Sequence, residues 1–180
     1  ADAKLALQAL AEEIVARRYV PERDAAAEVA AVRTAWEDEW RPELTSAERP
    51  SNQDRGRRDL QQLLAGRRTI VTHEAGSPRE QMVAFWQSRA PRDYLGWGKS
   101  PSLGAGLGMI MGAKLAHPEA VCVNVMGDAS IGMVGMDIET AVRNRIGIIT
   151  IVFNNGIMAG DRLGMEHAIE RYHPIDLGAK

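Results

Sequence analysis

Cysteine is nearly missing from this chain. Cys122 is the single one in 180 residues and sits inside an apolar run, which excludes a disulfide framework and a cysteine-rich zinc cluster and marks the thiol as core. Long hydrophobic runs are missing as well: no stretch approaches the ~20 apolar residues that cross a bilayer. The first residues lack the basic and apolar blocks of a secretory leader. A net charge of −2 leaves no basic footprint for nucleic acid. These absences predict a cytoplasmic protein with neither a membrane nor a nucleic-acid partner. What remains, 45% apolar and 26% charged residues, is ordinary for a globular domain. The charge is uneven: from Pro101 to Gly160 only Lys114, Glu119, Asp128, Asp137, Glu139, Arg143 and Arg145 carry it, so this part forms the buried centre.

Two β-branched, apolar runs dominate that centre. Val121 to Met126 ends in Gly127-Asp128, and Ile146 to Phe153 ends in Asn154-Asn155. Between them, Val134 to Arg145 carries Val134, Ile138, Ala141 and Val142 at helical spacing, so the segment reads as strand, helix, strand. Such a crossover is parallel and right-handed. Asp128 and Asn155 then emerge at the carboxyl edge of one sheet, where open α/β folds bind ligands. A carboxylate and an amide oxygen side by side suit Mg²⁺, a hard cation that completes its shell with phosphate oxygens and water. The plainer alternative for Asn154-Asn155-Gly156 is a hairpin turn, but Ile157 to Asp161 lacks the alternation of a returning strand.

Gly127-Asp128-Ala129-Ser130 followed by Asn154-Asn155 resembles the diphosphate-binding signature of thiamine diphosphate enzymes of the acetolactate synthase and pyruvate decarboxylase superfamily. The resemblance implies an α/β fold, a parallel sheet with helices on both faces, preceded by a helical segment. It implies thiamine diphosphate and Mg²⁺ as cofactors. The metal ligands would be Asp128, Asn155 and the backbone carbonyl of Ile157. Gly127 and the amides of Ala129 and Ser130 would face the diphosphate at the start of a helix, where peptide dipoles favour an anion. Relatives most often have glycine where this chain has Ala129, so the turn is expected to keep φ below zero.

Two upstream segments fit the same family. Gly96 to Gly108 resembles its glycine-rich lead-in to a helix beneath the cofactor. Leu103 there matches the residue that wedges between the two cofactor rings, and the Pro101 carbonyl matches the acceptor of the pyrimidine amine. The simpler reading of these glycines is close helix packing on the sheet. Thr69 to Ser77 resembles the first strand and its loop, with Ala75, Gly76 and Ser77 as diphosphate contacts. Glu74 fits less well, because its carboxylate would repel a diphosphate, and is expected to hydrogen-bond within the loop. His73 reads as a satisfied strand-end histidine.

The N-terminal third reads as two helices, Ala3 to Arg18 and a second after Pro21, with Trp36 and Trp40 on one face as packing residues. The expected organisation is a helical tail of a central domain over 1–40, a linker over 41–58 and the cofactor-binding domain over 59–180, C-terminally incomplete. By resemblance the whole enzyme would be a lyase or transferase acting on 2-oxo acids or related carbonyl substrates. It would be a homo-oligomer, and a pyrimidine-binding domain from elsewhere in the protein or from another subunit would supply the activating glutamate. Acetolactate synthases carry a Met and a Trp at the positions of Gly160 and Gly164, and a Gln-His pair after the first strand, so their reaction is not carried over.

Other classes fare worse. Gly98-Lys99-Ser100 resembles the end of a P-loop, but that motif requires a glycine where Asp93 stands. Gly104, Gly106 and Gly108 do not make a dinucleotide fingerprint, since Met111 takes the last required place. A non-catalytic remnant of the fold is the third reading.

Overall fold

The computed structural model describes residues 2–96, 98, 102–156 and 171. The chain divides into two compact units, 1–45 and 46–180. The first holds helices α1 (Ala3–Ala16) and α2 (Ala25–Leu44). Each starts on an aspartate cap: Asp2 accepts from the Leu5 amide at 3.1 Å and Asp24 from the Ala27 amide at 2.9 Å. Trp36 and Trp40, one turn apart, pack with ring centroids 6.2 Å apart.

Helix α2 runs through Pro42 to Leu44, and α3 (Gln53–Leu63) begins well inside the expected linker. Only 45–52 lies between them. A proline near a helix end sacrifices one backbone hydrogen bond, and the final turn is closed regardless by the Thr45 amide donating to the Arg41 carbonyl at 3.0 Å. Asn52 caps α3 through the Arg55 amide at 2.8 Å.

Among the described residues, the second unit is built on a four-stranded, all-parallel sheet. Its strands are β1 (Thr69–His73), β2 (Tyr94–Leu95), β3 (Val121–Gly127) and β4 (Ile149–Phe153), in the order β2-β1-β3-β4. Side chains alternate across the pleat, and the two faces are covered by different helices. Ile70 and Cys122 face helix α5 (Ala105–Ala116) through Leu107 and Ile110. Val71, Val123 and Val125 face α3 and α4 (Ser77–Phe85) through Leu60, Leu64 and Met82. The expected α/β architecture with helices on both faces is therefore observed.

Two expected boundaries shift. The crossover from β3 to β4 is not one helix over 134–145 but two, α6 (Asp128–Val134) and α7 (Asp137–Arg143). The break falls at Gly135-Met136, where glycine's poor helix propensity coincides with a final turn closed by its own amide on the Ile131 carbonyl at 2.7 Å. β4 starts at Ile149 rather than Ile146 because the preceding residues close α7. Arg145 adopts φ 54°, its amide bonds the Val142 carbonyl at 3.0 Å, and the Ile146 amide bonds the Ala141 carbonyl at 2.8 Å. That is a Schellman closure, with an arginine in the place glycine usually takes.

Candidate cofactor site at the carboxyl edge of the sheet

The strand order creates a switch point. From β1 the chain leaves through α4 to β2 on one side; from β3 it leaves through α6 and α7 to β4 on the other. The loops after β1 and β3 therefore diverge, opening a crevice outside their carboxyl ends, the usual ligand position in such sheets. Ala75, Gly76 and Ser77 follow β1, and Gly127 to Ser130 end β3 and open α6. The segments meet at Gly127, where an added Cβ would lie 3.8 Å from Pro78 Cγ in the first turn of α4.

Register brings in the third element. β3 and β4 pair as Gly127↔Phe153, so Asp128 follows its pair by one residue and Asn155 by two, at the same edge. Asn154 turns the chain there, its side-chain oxygen accepting from the Gly156 amide at 3.0 Å. Leu103 lies half-buried in the turn before α5. Pro101 and Ile157 lie outside the described residues.

Three helices start at this edge, and they differ in how their first amides are satisfied. The first few N–H groups of any helix have no intrahelical acceptor. At α5 they are met by Glu74: Oε2 accepts from the Gly104 amide at 2.7 Å and Oε1 from the Leu107 amide at 2.9 Å. At α4 and α6 the N-cap residues are glycines, Gly76 and Gly127, which have no side chain to cap the first turn. In α4, Pro78 has no N–H, and the Arg79 and Glu80 amides return to the Gly76 carbonyl. Gly76, at φ 86°, holds a conformation that side chains resist, and an added Cβ there would meet nothing within 4 Å.

An anion with several oxygens fits this arrangement. Ala129 and Ser130 lie in the first turn of α6, so Ala129 keeps helical dihedrals as expected. The Ser130 hydroxyl is buried with no hydrogen-bond partner among the described residues, and a buried orphan hydroxyl is costly unless a ligand completes it. Asp128, half-buried, makes no side-chain hydrogen bond or ion pair among the described residues. No cluster of three His, Cys, Asp or Glu side chains able to hold a metal occurs among them either. A cation at Asp128 would therefore need amide, carbonyl and ligand oxygens beside the single carboxylate. A cavity of 260 Å³ lined by Thr69, Trp86, Arg89 and His117 lies at the opposite, amino edge and includes none of these residues.

Glu74 and the strand polar residues were the part of the site that sequence reasoning underrated. Glu74 does hydrogen-bond, but to the start of α5 rather than within its own loop. The available signal was parity: Thr72, Glu74 and Asn124 occupy the pleat positions facing α5, polar where Ile70 and Cys122 are apolar. Thr72 Oγ1 lies 3.1 Å from the Gly106 carbonyl and 3.0 Å from Asn124 Oδ1.

His73 is a satisfied strand-end residue. It is buried, stacks on Tyr94 with centroids 5.5 Å apart, and its Nδ1 lies 3.0 Å from the Glu74 carbonyl as donor. Burial pushes its pKa below 6.5; the Glu74 carbonyl opposes the shift and Arg79 adds to it. The folded state thus takes up its proton at lower pH than the unfolded chain. No penalty exists above 6.5, and stability falls as acidification proceeds from 6.5 toward the lower folded value. NMR titration of the imidazole should give a midpoint below 6.5, and a midpoint at or above it would refute burial as the controlling influence.

Comparison with known proteins agrees with this geometry. Residues 74–172, more than half of the chain, match the family described as thiamine pyrophosphate enzyme, C-terminal TPP binding domain. The chain is 35% identical over 104 residues to 2-hydroxyacyl-CoA lyase of Saccharomyces cerevisiae, covering 57% of this chain and 19% of that protein. It is 34% identical over 110 residues to 2-hydroxyacyl-CoA lyase of Arabidopsis thaliana, with 61% and 19% covered. To the acetolactate synthase large subunit of Mycobacterium tuberculosis it is 31% identical over 139 residues, covering 77% and 25%. The chain thus spans about a fifth to a quarter of the length of these relatives. It belongs to the thiamine pyrophosphate enzymes and carries their C-terminal cofactor-binding domain.

Proposed function

We propose that this chain is the thiamine diphosphate- and Mg²⁺-holding part of a lyase or transferase that cleaves, decarboxylates or joins 2-oxo acids or related carbonyl compounds. The supporting observation is the convergence of two glycine-led helix starts, the partnerless buried Ser130 hydroxyl and Asp128 on one switch-point crevice. Asp128, Asn155 and the Ile157 carbonyl hold the cation. The amides of Ala129 and Ser130, the Ser130 hydroxyl and the Ala75–Ser77 loop hold the diphosphate. Leu103 would press on the cofactor as its wedge, and the Pro101 carbonyl would accept from its pyrimidine amine. When bound, thiamine diphosphate supplies an electron sink beside the substrate carbonyl; the protein's part is to bind, bend and shield it.

Two residues of the sequence bear on the reaction class. Gly160 and Gly164 stand where acetolactate synthases carry large side chains, which favours the chemistry of the lyase relatives, carbon–carbon cleavage next to a carbonyl, with acyl-thioester substrates within reach. The activating carboxylate comes from a pyrimidine-binding region beyond this chain, in a cytoplasmic homo-oligomer. Glu74 cannot serve instead, because both its oxygens are committed to α5 amides.

Calorimetric titration of the full-length protein is the test. Saturable binding of thiamine diphosphate that strengthens with Mg²⁺, with no heat from ATP or NAD, is the expected result. Binding of ATP in place of thiamine diphosphate would transfer the site to the nucleotide hydrolases.

A further inference from the structure

We infer that Glu74 is a positioning residue: its buried carboxylate locks the peptide joining Leu103 to Gly104 and so sets the direction in which the Leu103 side chain is presented to the cofactor. The inference rests on the wedge role proposed for Leu103 and deepens it.

The Gly104 amide and the Leu103 carbonyl belong to one rigid peptide plane, so holding the N–H at 2.7 Å from Glu74 Oε2 orients both. The other oxygen holds the Leu107 amide at 2.9 Å, one turn further into α5. The turn cannot retreat on its far side. Gly104 sits at φ 92°, and a Cβ there would run into Val134 of α6. Glu74 is itself pinned, its amide donating to the Val125 carbonyl of β3 at 2.9 Å. One fully buried side chain thereby ties the end of β1, the middle of the sheet and the residue after Leu103.

The charge has a reason to be there and nowhere else. An ionised carboxylate is acceptor-only, and both its partners are N–H donors. Its negative end faces the positive end of the α5 dipole, so the charge points into the fold rather than at the diphosphate. Glutamine, though the same size, would turn an NH₂ donor toward one of those amides. Ala75, the next residue, begins the diphosphate loop, so the loop and the wedge share one fixed point.

The test uses the full-length protein with Glu74→Gln, Glu74→Asp and, as reference, Leu103→Ala. In cofactor-free protein, amide exchange at Gly104 and Leu107 should accelerate in Glu74→Gln. With cofactor bound, affinity should stay within about threefold, while hydrogen–deuterium exchange at the thiazolium carbon, read by NMR after acid quench, should slow by about tenfold to a hundredfold, the scale expected when a reacting group is misplaced by about 1 Å. Glu74→Asp, which keeps the charge with a shorter reach, should fall between. Wild-type thiazolium exchange in Glu74→Gln would overturn the inference; if that variant does not fold, wild-type exchange in Glu74→Asp would do so. Should Leu103→Ala leave thiazolium exchange unchanged, the wedge role itself is wrong and the inference goes with it. Should Leu103→Ala slow exchange while Glu74→Gln does not, only the role of Glu74 is lost.

Discussion

Replacing Asp128 with alanine should weaken Mg²⁺-dependent binding of thiamine diphosphate by about 100-fold or more, since even outer-shell partners of a metal are worth 10–100-fold. Among the described residues no cluster of three His, Cys, Asp or Glu side chains is there to take its place. The fold, by contrast, should barely notice. Asp128 is the first residue of α6, and a carboxylate in that position contributes about 0.3–1 kcal/mol through the helix dipole. Binding and stability therefore separate: titration should show the loss while the unfolding transition moves little. Asp128→Asn, which keeps an oxygen ligand but drops the charge, should retain part of the affinity. Unchanged affinity in both variants would remove the metal site from Asp128.

Much of this arrangement could be read from the chain because it is written in local patterns. The β-branched runs before Asp128 and Asn155 mark parallel strands, of which β3 is buried and β4 half-exposed rather than buried, and parallel pairing alone brings both residues to one edge. Strand β1 was legible through the family resemblance of Thr69 to Ser77. What stayed hidden depends on contacts distant in sequence. β2 is two residues long, too short for any periodicity to register. The split between α6 and α7 turns on one glycine that a helical apolar pattern runs straight past. Helix α2 carries Pro42 in its last turn, where a missing N–H is tolerated, so helix overlaps the expected linker over 41–58 at both ends. Glu74 is the sharpest case. Judged by its neighbours it looks like a poor companion for a diphosphate, and only the fold shows that its charge is spent on α5, thirty residues away.

The same α5 start makes two glycines, two residues apart, behave oppositely. A Cβ at Gly106 would lie 2.7 Å from the His73 carbonyl oxygen, 2.7 Å from Glu74 Oε1 and 2.9 Å from Asn124 Oδ1. None of these can step aside cheaply: the first is strand backbone, the second belongs to a carboxylate whose two oxygens each accept from an amide, and Asn124 Oδ1 is 3.0 Å from the Thr72 hydroxyl. Gly106→Ala must push α5 off the sheet, and overpacking of this kind costs about 3 kcal/mol when backbone has to shift. At Gly108, one further step along the same helix, a Cβ would meet nothing within 4 Å. There alanine gains its helix advantage of about 0.8–1 kcal/mol over glycine. Gly106→Ala should therefore raise amide exchange at Leu107 and Ile110 strongly, and Gly108→Ala should lower it. Equal effects of the two substitutions would mean that the contact between α5 and the Thr72–Glu74–Asn124 edge is looser than these distances require, and would undermine the rigid wedge turn along with it.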